Sequence, residues 1–213
     1  MSFRIAVLIS GEGSNLQAQI DGLGDTPVEI AGVGSSRADS PGLERAEAAG
    51  LETAVFSLAD EPEREKRDGA LADWLEQRDV ELVVLAGFME LLTPGFIRRF
   101  AGRIVNIHPA LLPSFAGLRA VAQTLEYGVK VAGVTVHFVD EGMDSGPIIL
   151  QEAFELPYHR GIEAMDEGEI DAIEERFHEV EHRLLPQAVR LIAAGRVSID
   201  PDDPRQVRVE SDG

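Results

Sequence analysis

The sequence predicts an α/β protein built on a doubly wound, mostly parallel sheet with an antiparallel extension towards the C-terminus. Three observations predict it. Strand-like and helix-like segments alternate through the first half of the chain, the order that yields parallel strands joined by right-handed crossovers. The run LVVLA within Glu81–Ala86 is apolar on both faces, as a central strand covered by helices on each side must be. In the second half, two long strand-like runs flank a short acidic loop, a spacing that suits antiparallel or mixed pairing.

Each element has its own signal. Phe3–Ile9 is a short apolar run read as the first strand, and Gly11–Asn15 is a turn-forming loop. A helix begins over Leu16–Gly22, and Val28–Val33 is the second strand. Pro41–Ala49 carries a helix start, with Gly50 as a natural C-cap. Thr53–Phe56 is a third strand. Glu61–Arg78 is a charged amphipathic helix with Leu71, Trp74 and Leu75 on one face. After the Glu81–Ala86 strand come a short helix, Pro94–Phe100, and another strand, Arg103–Ile107. Ala120–Tyr127 is helical and ends at Gly128. Val131–Val139 and Pro147–Glu155 are the two long strands around Asp140–Gly146. Ile170–Ala194 is a long helix closed by Gly195. The tail Arg196–Gly213 carries VSI and VRV around a Pro/Asp turn and reads as a small hairpin. Without repeats or an interior linker, residues 1–213 read as a single domain.

Composition narrows the function classes. Of 213 residues, 44% are hydrophobic, which permits a sizeable core and opposes global disorder. No window reaches the ~18 uninterrupted apolar residues of a membrane span. The first residues pass from a short apolar run straight into a Gly-rich loop, which reads as a strand and not as a secretion signal. The chain has no cysteine, so disulfides, thiolate metal sites and a Cys nucleophile are excluded and a cytoplasmic location is expected. The net charge is −19, from 38 acidic against 19 basic residues, and Lys66 and Lys130 are the only lysines. Such a surface repels nucleic acid and anionic lipid. Binding of an anionic small molecule must then rest on local donors. The same excess of carboxylates suits a salt-rich, halophilic cytoplasm.

Three constellations carry candidate chemistry. Ser10-Gly11-Glu12-Gly13-Ser14-Asn15 lies between a strand and a helix, where backbone N–H groups at the helix N-terminus suit an anion. It lacks the Lys of a P-loop and the full dinucleotide fingerprint. Its plain alternative is a tight turn capped by Ser14 or Asn15. Asn106-Ile107-His108-Pro109-Ala110-Leu111-Leu112-Pro113 follows a buried strand, at the strand ends where open α/β sheets bind ligands. Positions two apart on a strand share a face, so Asn106 and His108 can donate together to a developing oxyanion. Asp140-Glu141-Gly142-Met143-Asp144-Ser145-Gly146-Pro147 is an acidic, glycine-punctuated loop. Alone it reads as a solvated turn; functionally, it brings Asp144 beside His108 to orient a charged imidazole.

The order and spacing of these stretches are more telling than any one of them. AVLISGEGSNLQA, SSRADSPGLERAEAAGL, VVLAGFMELLTP, GRIVNIHPALLPSF, TVHFVDEGMDSGPII and VEHRLLP run from the first strand to the long C-terminal helix. Over nearly the whole chain they resemble the glycinamide ribonucleotide formyltransferase family, folate-dependent enzymes of purine synthesis. The resemblance implies a Rossmann-like sheet, glycinamide ribonucleotide as formyl acceptor, 10-formyltetrahydrofolate as cosubstrate, and a monomer or homodimer. It implies a catalytic trio of Asn106, His108 and Asp144. Gly13, Ser14 and Asn15 would hold the substrate phosphate, with Pro109 and Glu181 also on the substrate side. Met89, Leu91, Leu92, Ile97, Val139 and Asp140 would border the folate pocket. The chain departs from the family pattern at Arg119, where His is expected, at Ala116, where Pro is usual, at Glu90, where many members have Arg, and in a longer Tyr158–Glu169 loop.

Other formyl-handling enzymes share the trio. A formyltetrahydrofolate deformylase is expected to carry a regulatory domain before the first strand, and a methionyl-tRNA formyltransferase an extra C-terminal domain with a basic surface. A different chemistry is offered by His178-Glu179-Val180-Glu181-His182, which fits the zinc-peptidase pattern H-E-x-x-H. A third ligand downstream is not evident, and the resemblance already accounts for the Glu181-His182 pair. No resident metal is expected.

Overall fold

Period-two alternation decides how the central strands are buried. The computed structural model describes residues 2–157 and 161–210. In β1 (Phe3–Ile9), Ile5, Val7 and Ile9 join one apolar cluster, while Ala6 and Leu8 join another on the opposite face. β4 (Leu82–Leu85) divides in the same way, with Leu82 and Val84 on one side and Val83 and Leu85 on the other. A strand apolar on both faces needs a helix layer over each. One layer contains α1 (Ser14–Leu23) and α6 (Glu167–Ala193), whose Leu16, Leu23, Phe177 and Leu184 enter the first cluster. The other contains α3 (Arg64–Glu76) and α4 (Pro94–Arg99), through Leu71, Leu75, Phe96 and Ile97.

With β2 (Val28–Ser35), β3 (Thr53–Val55), β5 (Ile104–His108), β6 (Val131–Phe138) and β7 (Ile148–Glu155), the sheet has seven strands in the order β3-β2-β1-β4-β5-β6-β7. The first five pair in parallel. β6 runs antiparallel to β5, and β7 antiparallel to β6. The chain winds outward from β1 to β3 and returns at β4, so the direction of winding reverses between β1 and β4. Ligands of open α/β sheets bind outside the strand ends at such a reversal. The loops leaving β1 and β4 are tied together there: the Ser10 hydroxyl accepts the Met89 N–H at 2.8 Å and pairs with the Ser36 hydroxyl at 2.7 Å.

The remaining helices are α2 (Gly42–Ala48) and α5 (Ala120–Tyr127), the latter at the bounds the sequence predicts. The long C-terminal helix starts at Glu167, ahead of the expected Ile170. A capping box explains the earlier start, since Asp166 accepts the Glu169 N–H and Glu169 reaches back to the Asp166 N–H. A hairpin of β8 (Val197–Ile199) and β9 (Val207–Val209) follows it. Residues 158–160 of the longer loop and 211–213 of the tail lie outside the described residues.

Candidate active site

β5 and β6 build the centre of the site. Ile107 points into the core, so Asn106 and His108 face the opposite way together. The antiparallel register sets His137 opposite Asn106 and Thr135 opposite His108. The β6–β7 loop then folds back over the pair. Asp144 Oδ2 lies 3.5 Å from His108 Nδ1, and its Oδ1 lies 3.7 Å from His137 Nε2. Gly146 is where this loop rejoins the sheet; a Cβ there would sit 1.9 Å from the Phe138 carbonyl oxygen, so only glycine fits.

Hydrogen bonds fix the ring states. His108 Nε2 lies 2.9 Å from the Phe115 carbonyl oxygen. A carbonyl only accepts, so Nε2 carries the proton and Nδ1 faces Asp144 and the cleft. His137 Nδ1 is 2.8 Å from the Phe138 carbonyl and therefore donates to it. The lone pair of its Nε2 then accepts from Asn106 Nδ2 at 3.3 Å. Burial pushes the His137 pKa down against the opposing pull of that carbonyl and of Asp144, which keeps the ring neutral and this tautomer in place. The Gly117 N–H donates to Asp144 Oδ2 at 2.7 Å. The segment after β5 thus grips both His108 and Asp144. Phe115, Arg119 and Asp144 adopt positive φ angles of 54°, 59° and 49°, a left-handed conformation that non-glycine residues hold only when their surroundings enforce it. His137 was not among the residues read from the sequence as functional. Its signal was a titratable side chain inside the apolar run of β6.

Beside this centre lies a cavity of about 380 Å³, lined by Leu92, Ile97, Val139, Asp140, Asn106, His137 and Asp144 among others. A second cleft of about 750 Å³ shares Leu91, Asn106, Met143 and Asp144 with it and adds Met89, His108 and Pro109. Met89, Leu91, Leu118 and Met143 are exposed large apolar side chains around this cleft, a rim of the kind that marks ligand grooves.

The loop after β1 does not form the side-chain cap of its plain alternative. Gly13 is the N-cap of α1, with φ 73° and no side-chain bond to the helix. A Cβ on it would meet Gly42 Cα at 2.6 Å. Ser14 is the first helical residue, so neither it nor Asn15 caps the helix. Asn15 turns inward instead, donating from Nδ2 to Glu181 Oε2 at 2.9 Å, while its buried Oδ1 has no partner. Glu181 is 6% exposed. Burial raises its pKa, opposed by the Asn15 hydrogen bond and by the nearby His178 and His108. Glu181 therefore links the α1 N-terminus to the His108 region. His178 and His182 stack at 5.8 Å on α6, with Glu179 exposed beside them. Among the described residues no group of three or more His, Asp or Glu side chains is arranged to hold a metal ion.

The side chains or backbone at the three positions read as departures find partners. Glu90 Oε2 lies 3.3 Å from Arg67 Nη1. Arg119 is exposed and reaches Glu126 at 3.5 Å. The Ala116 carbonyl accepts from Gln123 at 3.5 Å.

An amide and an imidazole side by side at a parallel strand end, backed by a carboxylate and flanked by an apolar cleft, suit group transfer on a doubly wound sheet. The chain belongs to the formyl transferase family, which matches residues 3–189. The phosphoribosylglycinamide formyltransferase of Haemophilus influenzae is 42% identical over 198 residues, covering 92% of this chain and 90% of that protein. The human trifunctional purine biosynthetic protein adenosine-3 is 43% identical over 92% of this chain, which spans only 19% of that longer protein. Glycinamide ribonucleotide transformylase 1 from Symbiobacterium toebii superposes with a TM-score of 0.89 at 46% identity, covering 99% of this chain and 95% of that one.

Proposed function

We propose that this chain is a phosphoribosylglycinamide formyltransferase, moving the formyl group of 10-formyltetrahydrofolate to the amine of glycinamide ribonucleotide in de novo purine biosynthesis. The observation that carries the reading is the Asn106–His108–Asp144 cluster, set between an apolar cleft and the loop at the α1 N-terminus. Family membership supports it.

The substrate amine attacks the formyl carbon and forms a tetrahedral species with a negative oxygen. Asn106 Nδ2 and His108 Nδ1 donate to that oxygen. His108 Nε2–H is committed to the Phe115 carbonyl, so Nδ1 is a donor only in the doubly protonated imidazolium. Asp144, 3.5 Å away, supplies the counter-charge. As the carbon–N10 bond breaks, the amine proton passes to the folate nitrogen through a water that Asp144 positions. Each oxyanion donor contributes roughly 3–4 kcal/mol to lowering the barrier.

The donor fits the smaller cavity chemically. Leu85, Leu92, Ile97 and Val139 offer apolar walls to a flat heterocycle, and Asp140 stands at one side. On the acceptor side, Gly13, Ser14 and Asn15 would take the phosphate at the helix N-terminus, with Pro109 and Glu181 contacting the rest of the substrate. This reading treats residues 1–213 as one domain, monomeric or homodimeric. It would act on small molecules in the cytoplasm without nucleic acid, membrane or resident metal; no helix among the described residues is long and apolar enough to cross a membrane.

The test is an assay with 10-formyltetrahydrofolate, following loss of the formyl group with and without glycinamide ribonucleotide. Loss that requires the amine, with formylated product appearing in equal amount, is the expected result. Amine-independent loss would make the chain a deformylase.

A further inference from the structure

Behind the donor cleft lies a buried ion pair that the transfer chemistry does not use. Arg67 and Asp68, adjacent in the second turn of α3, are each 1% exposed. The guanidinium folds back on its neighbour, donating to Asp68 Oδ1 from Nε at 2.8 Å and from Nη2 at 2.6 Å. Asp68 Oδ2 accepts the backbone N–H of Thr93 at 2.6 Å. Arg67 also reaches the Leu91 carbonyl at 3.4 Å and the Glu90 carboxylate at 3.3 Å. Arg64 donates to the same Leu91 carbonyl. The contacts outside the pair all end on residues 90–93. That short segment carries Leu91 and Leu92 to the cleft, and Thr93 caps α4, which carries Ile97.

A buried ion pair is poor evidence of stabilisation, because desolvating the charges consumes most of what their attraction returns and an apolar replacement is often no less stable. Its geometry is more informative. Each oxygen of Asp68 and three nitrogens of Arg67 are spent on one another or on the 90–93 segment. We propose that Arg67 and Asp68 are positioning residues for the formyl donor, holding segment 90–93 in the register that shapes the donor cleft. The proposal rests on the function argued above. It also explains how Glu90 is accommodated: its carboxylate answers the outer nitrogen of Arg67, so the change of sign at this position leaves the wall anchored.

Asp68→Asn is the sharpest test, because it keeps shape and volume. Asp68 accepts on both oxygens, whereas the amide has one acceptor and must turn its NH2 towards either the guanidinium or the Thr93 N–H, both donors. Arg67→Lys is the second variant; it keeps the charge and loses the fork. With the full-length enzyme, Asp68→Asn should raise the KM for 10-formyltetrahydrofolate tenfold or more, and Arg67→Lys about fivefold. The KM for glycinamide ribonucleotide and kcat should stay within twofold. Amide hydrogen exchange should quicken in peptides covering residues 88–93 and stay unchanged in those covering β5. If Asp68→Asn does not fold, Arg67→Lys decides by the same readings. An unchanged donor KM, or a parallel change in both KM values and kcat, would overturn the proposal. A wild-type enzyme that transfers no formyl group would instead reject the function on which it rests.

Discussion

At the residue scale the decisive feature is the division of labour between two histidines. His108 has one nitrogen bound to the Phe115 carbonyl and the other facing Asp144, so it can donate to an oxyanion only as a cation. His137 is its neutral counterpart, fixed by the Phe138 carbonyl and orienting the Asn106 amide. Replacing His108 or Asn106 by Ala should each lower turnover by about a hundredfold with little loss of fold, since in the proposed mechanism both act on the transition state. Steady-state kinetics on the His108→Ala enzyme checks this, and near-wild-type turnover would sink the mechanism. His137 makes a prediction about stability. Burial holds its folded pKa below the ordinary value of 6.5. The unfolded chain therefore binds the proton first as the pH falls. Stability is intact above that ordinary value and is lost as the pH drops from there through the lowered folded value. Urea unfolding between pH 8 and 5.5 should show a shallower loss on acidification in His137→Gln than in the wild type. Equal slopes would mean that His137 does not set this dependence.

At the element scale, α1 and α6 meet at the proposed substrate side. The α1 N-terminus is left without a side-chain cap, and Asn15 and Glu181 bridge the two helices. An uncapped helix start offers its N–H groups to an anion. Replacing Ser14 and Asn15 together by Ala should raise the KM for glycinamide ribonucleotide more than it lowers kcat. An unchanged KM would reduce the loop to a tight turn. The H-E-x-x-H pattern on α6 divides differently from a peptidase. Glu179, which would be the general base, faces solvent, whereas Glu181 is buried against Asn15. On the proposed mechanism the transfer needs no Lewis acid, because amide and imidazolium donors would hold the oxyanion. Activity should therefore survive prolonged chelation. One equivalent of zinc held by His178 and His182 in the purified protein would revive the peptidase reading.

At the scale of the whole molecule, charge dominates. With 38 acidic and 19 basic residues, like charges repel over a Debye length of about 30 Å at 0.01 M salt and only about 3 Å at 1 M. Many of the arginines are already held in surface pairs, such as Arg99 with Glu76 and Asp73, or Arg183 with Glu152. Exposed pairs of this kind each add little, so the unpaired carboxylates set the salt response. The thermal midpoint and the activity should rise steeply as KCl goes from dilute buffer to molar concentration. A flat or falling midpoint would reject adaptation to a salty cytoplasm and leave the enzyme assignment untouched.

Much of this was legible in the sequence, for a local reason. The two-sided apolar runs of β1 and β4, the helix Ala120–Tyr127 closed by Gly128, and the shared face of Asn106 and His108 all follow from periodicities a few residues long. Each can be read from neighbours along the chain. The tertiary structure alone decided that Asn15 bonds to Glu181, 166 positions away. It also decided that His137 stands opposite Asn106 and that Asp68 holds the N–H of Thr93. None of these pairs has a sequence period. Each depends on strand register or on the packing of a helix against another helix or a loop, and those are fixed only when both cores close around the sheet at once.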